Sequence, residues 1–175
     1  MSPDRPSVPH RPRRRLAALP LLALLFLPAA LAGEPVRLVE IYDADTVRIA
    51  RPDGTQSTVR LIGVDAPEVQ GKYRDAELGG QAASAFARTL LGVDRVELEA
   101  DATGDDVDRY GRLLRYLRLP DGRDAGAEII AAGFARAYRR FTYTRKDSYV
   151  ALETGAREAG RGLWGRMGIG EGMTP

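Results

Sequence analysis

The stretch Arg60 to Glu68, RLIGVDAPE, limits this chain more than any other. Leu61, Ile62 and Val64 favour an extended backbone, while Pro67 has no N–H to offer a sheet ladder, so a strand running through here stops at or just after Asp65. Asp65 and Glu68 are thereby placed on a strand-ending turn. A straight strand at roughly 3.3 Å per residue would hold Arg60 and Glu68 more than ~25 Å apart. A joint role for these residues requires a sharp bend, for which Gly63 and Pro67 are the natural points.

Around this stretch the sequence reads as short strands cut by turn signals. Val36 to Tyr42 and Thr46 to Ala50 have strand character, and Pro52-Asp53-Gly54 folds the second back on Ser57 to Val64. That makes three antiparallel strands. Leu78, Ala82, Ala85, Phe86, Thr89 and Leu90 recur at helical spacing over Glu77 to Leu91, stopped by Gly92. Val93 to Ala100 and Arg112 to Leu119 read as fourth and fifth strands, and helices are expected over Ala125–Ala132 and Asp147–Ala159. Five short strands, one helix after the third and two at the end, describe an α+β chain built on a small closed antiparallel barrel, with the OB-fold as the leading architecture. At 175 residues there is one core to bury, not two.

Residues 1–32 read separately, as a secretory signal peptide. Arg5, Arg11, Arg13, Arg14 and Arg15 precede an apolar run from Leu16 to Leu27, and Ala30-Leu31-Ala32 supplies a small-x-small cleavage site. The run is short of the ~20 residues that a spanning helix needs, so cleavage after Ala32 and no lasting membrane association are expected. Export to the periplasm or the medium follows. The domain then spans 33–165, with 166–175 as a flexible tail.

Losing the leader reverses the charge. The whole chain has 26 basic and 24 acidic residues; beyond residue 32 there are 21 and 23. Bulk charge is therefore no argument for a polyanionic partner, and any such partner must meet a local basic patch or a bound cation. There is no Cys, and the one His lies in the leader. Thiol nucleophiles, Ser-His-Asp triads, disulfides and His/Cys zinc sites are excluded. A general base must be Asp, Glu, Lys or Tyr, and a metal must be a hard, oxygen-liking one.

Asp43 and Asp45 flank Ala44, so both carboxylates point one way in an extended segment; alone they make an ordinary polar turn. Together with Asp65 and Glu68 they suit a Ca²⁺ site of carboxylates and a backbone carbonyl. The acidic loop Asp101 to Asp108 lacks the EF-hand pattern and reads as solvated. Arg60 and Arg112 add permanent guanidinium charge that matches phosphate oxygens, with Gly111 giving backbone freedom ahead of Arg112. Arg109 and Tyr110 are candidates to contact a terminal phosphate, and Tyr110 is equally suited to packing. Tyr138, Phe141 and Tyr143, interleaved with Arg136, Arg139, Arg140, Arg145 and Lys146, are equally suited to stacking bases and to capping the core. Trp164 reads as an apolar plug against the barrel.

Five motifs in fixed order then carry a resemblance: YDADTV at Tyr42–Val47, VRLIGVDAPE at Val59–Glu68, QAASAF at Gln81–Phe86, DRYGR at Asp108–Arg112 and GRGLW at Gly160–Trp164. The chain resembles the staphylococcal (micrococcal) nuclease-like, or thermonuclease, family over about Val36 to Trp164. The resemblance implies an OB-fold enzyme that hydrolyses DNA and RNA with Ca²⁺ and leaves 3′-phosphate ends. It further implies Asp45 and Asp65 as Ca²⁺ carboxylates, the carbonyl of Ala66 as a third ligand, and Asp43 as an acid near the metal. Glu68 is similar to the general base, and Arg60 and Arg112 to the phosphate clamp. Ala44 stands where Gly is usual, and Ala66 where Thr is frequent. Monomer is the default state. A catalytically silent nucleic-acid-binding barrel and a Ca²⁺-stabilised interaction module are the alternatives.

Overall fold

The computed structural model describes residues 33–69 and 77–165. The expected leader, 1–32, and the expected tail, 166–175, lie outside the described residues. Five strands close a barrel: β1 (Glu34–Ile41), β2 (Thr46–Ala50), β3 (Gln56–Leu61), β5 (Arg95–Glu99) and β6 (Leu113–Arg118). The order round the barrel is β1-β2-β3-β6-β5, with β5 returning to β1. Val47, Ile49, Val59, Leu61, Val96, Leu98 and Leu117 fill the interior, as the alternation of the strand sequences requires. Three helices complete the α+β fold: α1 (Gly80–Leu90), α2 (Ala125–Ala131) and α3 (Lys146–Glu158). None of the described helices is long and apolar enough to cross a membrane.

The expected Pro52-Asp53-Gly54 turn is present, with Gly54 at φ +86° and its N–H donating to the Arg51 carbonyl at 2.9 Å. It sets the β2–β3 register, which brings Thr46 opposite Arg60.

Four features depart from the sequence reading. First, the barrel is not wholly antiparallel, because β3 and β6 run parallel, Val59 opposite Leu113. Antiparallel turns join sequential strands, but β6 reaches β3 only after α1 and β5, and strand propensity carries no information about that direction. Second, the strand expected over 57–64 is two: Gly63, at φ +75°, separates β3 from the two-residue β4 (Val64–Asp65). β4 leaves the barrel and pairs with a strand that the sequence reading lacked, β7 (Arg136–Ala137). Third, α1 buries only part of the expected stripe. Phe86 and Leu90 pack against the core, but the fully buried residues are Ala83, Ser84 and Ala87, while Leu78, Ala82, Ala85 and Thr89 are exposed. Small side chains let the helix approach its neighbours closely, and hydrophobic size is a poor guide to such a face.

The fourth concerns the acidic loop, which is anchored and not merely solvated. Asp101 accepts from Thr103, from the Tyr116 hydroxyl and from the backbone N–H of Thr144 at 2.7 Å. Asp106 pairs with Arg115 at 2.7 Å. These bonds tie the segment before β6 to the segment before α3, and both carry candidate site residues.

Candidate active site

The bend at Gly63 builds the site. A Cβ on this glycine would collide with the Tyr143 ring, so both its backbone angle and its surroundings exclude a side chain. Tyr143 is accordingly a core residue under the turn, and not a surface ring waiting for a base. Beyond the bend, Asp65 pairs in register with Arg136, and Tyr138 donates its backbone N–H to the Gly63 carbonyl at 2.9 Å. The chain thus doubles back and carries Asp65, Ala66 and Glu68 past the end of β3.

Asp45 is the centre of the acidic half. It is 2 % exposed, and its carboxylate accepts from the Thr46 hydroxyl and the Ala66 N–H, both at 2.9 Å, and pairs with the Arg60 guanidinium. Its carbonyl accepts the Leu61 N–H at 2.8 Å. One aspartate therefore stitches together the start of β2, the end of β3 and the segment after β4. Asp43 accepts the Asp45 N–H at 3.0 Å, the turn-forming bond anticipated for this pair. Burial pushes the Asp43 carboxyl above the ordinary value, against Arg60, the Thr46 donors and Arg112, which pull it down.

Arg60 gathers the rest. Its guanidinium also donates to the Val64 carbonyl at 3.2 Å. Burial lowers its pKa, the positive charge of Arg112 lowers it further, and Asp43, Asp65 and Glu68 raise it back. An arginine remains protonated under such a shift, so the site holds a permanent, partly desolvated cation within the field of three acids and a second arginine. The α1 end fixes Glu68 through its backbone: the Glu77 N–H donates to the Glu68 carbonyl at 2.9 Å, and a Cβ on Gly80 would strike that same carbonyl.

Arg112 is held differently. Its amide and Nε donate to Asp108 at 2.9 and 2.7 Å across a tight turn closed by Gly111 at φ +77°. The parallel register starts β6 beside Val59, and Arg112 lies close enough to Arg60 for their charges to oppose each other. Arg109 donates to the Tyr110 hydroxyl at 2.5 Å, and Tyr110 is 63 % exposed on the outside of the turn. Tyr138 lies half-buried on the other flank, its ring 5.5 Å from that of Phe141. The structure therefore brings Asp43, Asp45, Arg60, Asp65, Ala66, Glu68 and Arg112 to one end of the barrel, with Arg109 and Tyr110 in the turn that carries Arg112 and Tyr138 beside the bend at Gly63.

Two carboxylates and a backbone carbonyl suit a hard cation completed by water, and the desolvated Asp43 adds negative charge that a cation would offset. Among the described residues no group of three acidic or His/Cys side chains converges closely enough to hold a metal by itself. A bound ion there would rest on Asp45, Asp65, the Ala66 carbonyl and solvent.

The sequence that builds this geometry has relatives among known proteins. Residues 58–166 match the family described as staphylococcal nuclease homologue. The chain belongs to that family. A thermonuclease of Staphylococcus intermedius is 37% identical over 128 residues, covering 73% of this chain and 72% of its own. A thermonuclease of Staphylococcus hyicus is 30% identical over 161 residues, or 85% and 92%. A micrococcal nuclease of Shigella flexneri is 31% identical over 160 residues, or 86% and 84%. The match opens inside β3 and closes just after Trp164, so it covers every candidate residue except Asp43 and Asp45. Those two fall within the longer alignments to whole relatives.

One residue of consequence was missed. Glu153, 1 % exposed on α3, accepts the Ala137 N–H at 3.1 Å and pairs with Arg139 and Arg157, each at 2.7 Å. It clamps β7, and β7 holds β4 and Asp65. The signal was available: Glu153 sits between Tyr149 and Ala156 at helical spacing on the buried face of α3. Trp164 also differs from its sequence reading. It lies under Arg157 at 3.8 Å and near Arg136 at 5.7 Å, against α3 and not plugging the barrel.

Proposed function

We propose that this chain, a phosphodiester-hydrolysing nuclease by family, is an exported enzyme that uses Ca²⁺ to cut both DNA and RNA and leaves 3′-phosphate ends. The observation that carries the reading is the surroundings of Arg60. A half-buried guanidinium shares one field with Asp43, Asp65, Glu68 and Arg112 while pairing with Asp45. Acids on one side and arginines on the other are what a phosphate undergoing attack requires.

Asp45, Asp65 and the Ala66 carbonyl would hold the cation, which supplies positive charge to a non-bridging phosphate oxygen. Glu68 takes a proton from the attacking water as its oxygen bonds to phosphorus, and the bond from phosphorus to the 5′ oxygen breaks. Arg60 and Arg112 bind the charge that gathers on the equatorial oxygens, with Arg112 toward the departing 5′ oxygen. Export rests on the leader sequence, and a monomeric enzyme is the accompanying reading.

The test uses the purified mature chain with plasmid, single-stranded DNA and RNA, in Ca²⁺ or chelator, beside Glu68→Gln. Chelator-sensitive cleavage of all three substrates is expected, lowered on the order of 10³-fold in the variant. Binding without cutting would favour the silent barrel, and cleavage that persists in chelator would remove Ca²⁺ from the mechanism.

A further inference from the structure

Beside the site, and sharing Asp65 with it, lies a cleft of about 210 Å³ lined by Arg136, Tyr138, Arg139, Arg140, Arg157 and Glu153. Four guanidinium groups meet two carboxylates here, in a chain whose mature part carries no net positive charge. The concentration is therefore local and not a reflection of composition. We infer that this cleft is a second phosphate subsite, taking a backbone phosphate of the same single strand at least one nucleotide from the bond that is cut. The inference rests on the nuclease reading, since it asks where the rest of the polyanion lies.

The cleft is organised before any ligand arrives. Glu153 fixes Arg139 through Oε2 and Arg157 through Oε1, and the Trp164 ring supports Arg157 from beneath. Holding two long side chains in place in advance removes rotamer entropy that binding would otherwise have to overcome. The pairing leaves donors unused. Nη1 of Arg139 and of Arg157 has no hydrogen-bond partner among the described residues, and Arg136 and Arg140 form no ion pair with a described acid. Neutralising Glu153 alone would take one guanidinium. The surplus is directed at an anion, and a planar fork of N–H donors favours phosphate.

Position supports the same occupant. Asp65 faces Arg136 across the β4–β7 pair, so the cleft begins one residue pair from a proposed cation ligand. Tyr138 and the 68 % exposed Phe141 stand at its rim with rings 5.5 Å apart, a surface on which an unpaired base can stack. Duplex DNA keeps its bases inside the stack and cannot use that rim. A single strand can place one phosphate at Arg60 and Arg112 and a later one in this cleft.

The experiment measures binding of a labelled oligothymidylate to the Glu68→Gln chain in Ca²⁺ across a salt series, with and without Arg136→Gln plus Arg140→Gln. Neither arginine holds Glu153, so the fold is retained, as a urea midpoint will report. Each phosphate contact on a single strand contributes about 0.7 to the slope of log K against log salt, and loss of two should flatten it by about 1.4 with affinity down on the order of 10-fold. Arg136→Lys plus Arg140→Lys should keep the slope, which a purely structural role would not predict. An unchanged slope and affinity in the glutamine pair overturns the subsite. Cleavage by the parent chain, assayed separately, reports on the nuclease reading: a parent that cuts while the slope is unmoved loses only the subsite, and one that binds with the predicted slope change yet cuts nothing loses only the nuclease.

Discussion

Arg60 and Arg112 carry the same charge toward the same end of the barrel, and they are held in opposite ways. Arg60 leaves the end of a central strand, pairs with an aspartate that is almost wholly buried, and donates to the carbonyl of Val64 beyond the bend. Arg112 sits on a five-residue turn and is paired with Asp108 inside that same turn, with an exposed Tyr110 outside it. The first arginine is part of the architecture as well as the chemistry; the second is mounted on it. The difference separates two roles that a single substitution usually confounds.

The largest effect is expected at Arg60→Ala. It removes a phosphate contact and leaves Asp45 buried without its counter-charge, so turnover should fall on the order of 10³-fold and stability by roughly 3 kcal/mol. Kinetics beside urea unfolding will check both, and a variant that is inactive but fully stable would break the contrast. Arg112→Ala comes next: turnover down about 10²-fold, with unfolding moved by no more than about 0.5 kcal/mol, because a half-exposed side chain paired within its own turn contributes little to packing. A large drop in the unfolding midpoint would erase the distinction between the two.

The smallest effect sharpens the comparison through pH. Burial pushes the Asp108 carboxyl up, but the amide and guanidinium of Arg112 and the Tyr110 amide hold it below the ordinary 3.8. A depressed folded-state pKa adds stability that is complete above that ordinary value and is lost as pH falls through the folded one. Asp108→Asn should flatten the acid limb of the stability curve and lower turnover about 10-fold at neutral pH by releasing Arg112. An acid limb identical to that of the parent would show that Asp108 does not hold the turn.

How much of this was legible in the sequence depended on the range of the interaction. The Pro52-Asp53-Gly54 turn, the bend at Gly63 and the Asp43–Asp45 turn are decided within a few residues, and local chemistry was enough to place them. The motifs carried the family and with it the barrel. What escaped was set by pieces far apart in the chain. The parallel partner of β3, the two-residue strand at Arg136–Ala137 and the buried Glu153 that supports it answer to contacts across 16 to 80 residues. The inward face of α1 escaped for another reason, since its fully buried residues are alanines and a serine while the larger Phe86 and Leu90 pack only at the edge of the core.

The parallel seam between β3 and β6 has a consequence for how such a chain can vary. The two arginines are about fifty positions apart in sequence, yet their spacing is dictated by a hydrogen-bonded ladder and not by the connection between them. Residues gained or lost at the exposed Gly104 and Asp105 would leave that spacing intact, whereas β5 and Asp101 in the same connection are themselves held to β1, β6 and Thr144. A slip of a single rung would instead turn every side chain of β6 to the opposite side. Length is negotiable in this region of the protein, and parity is not.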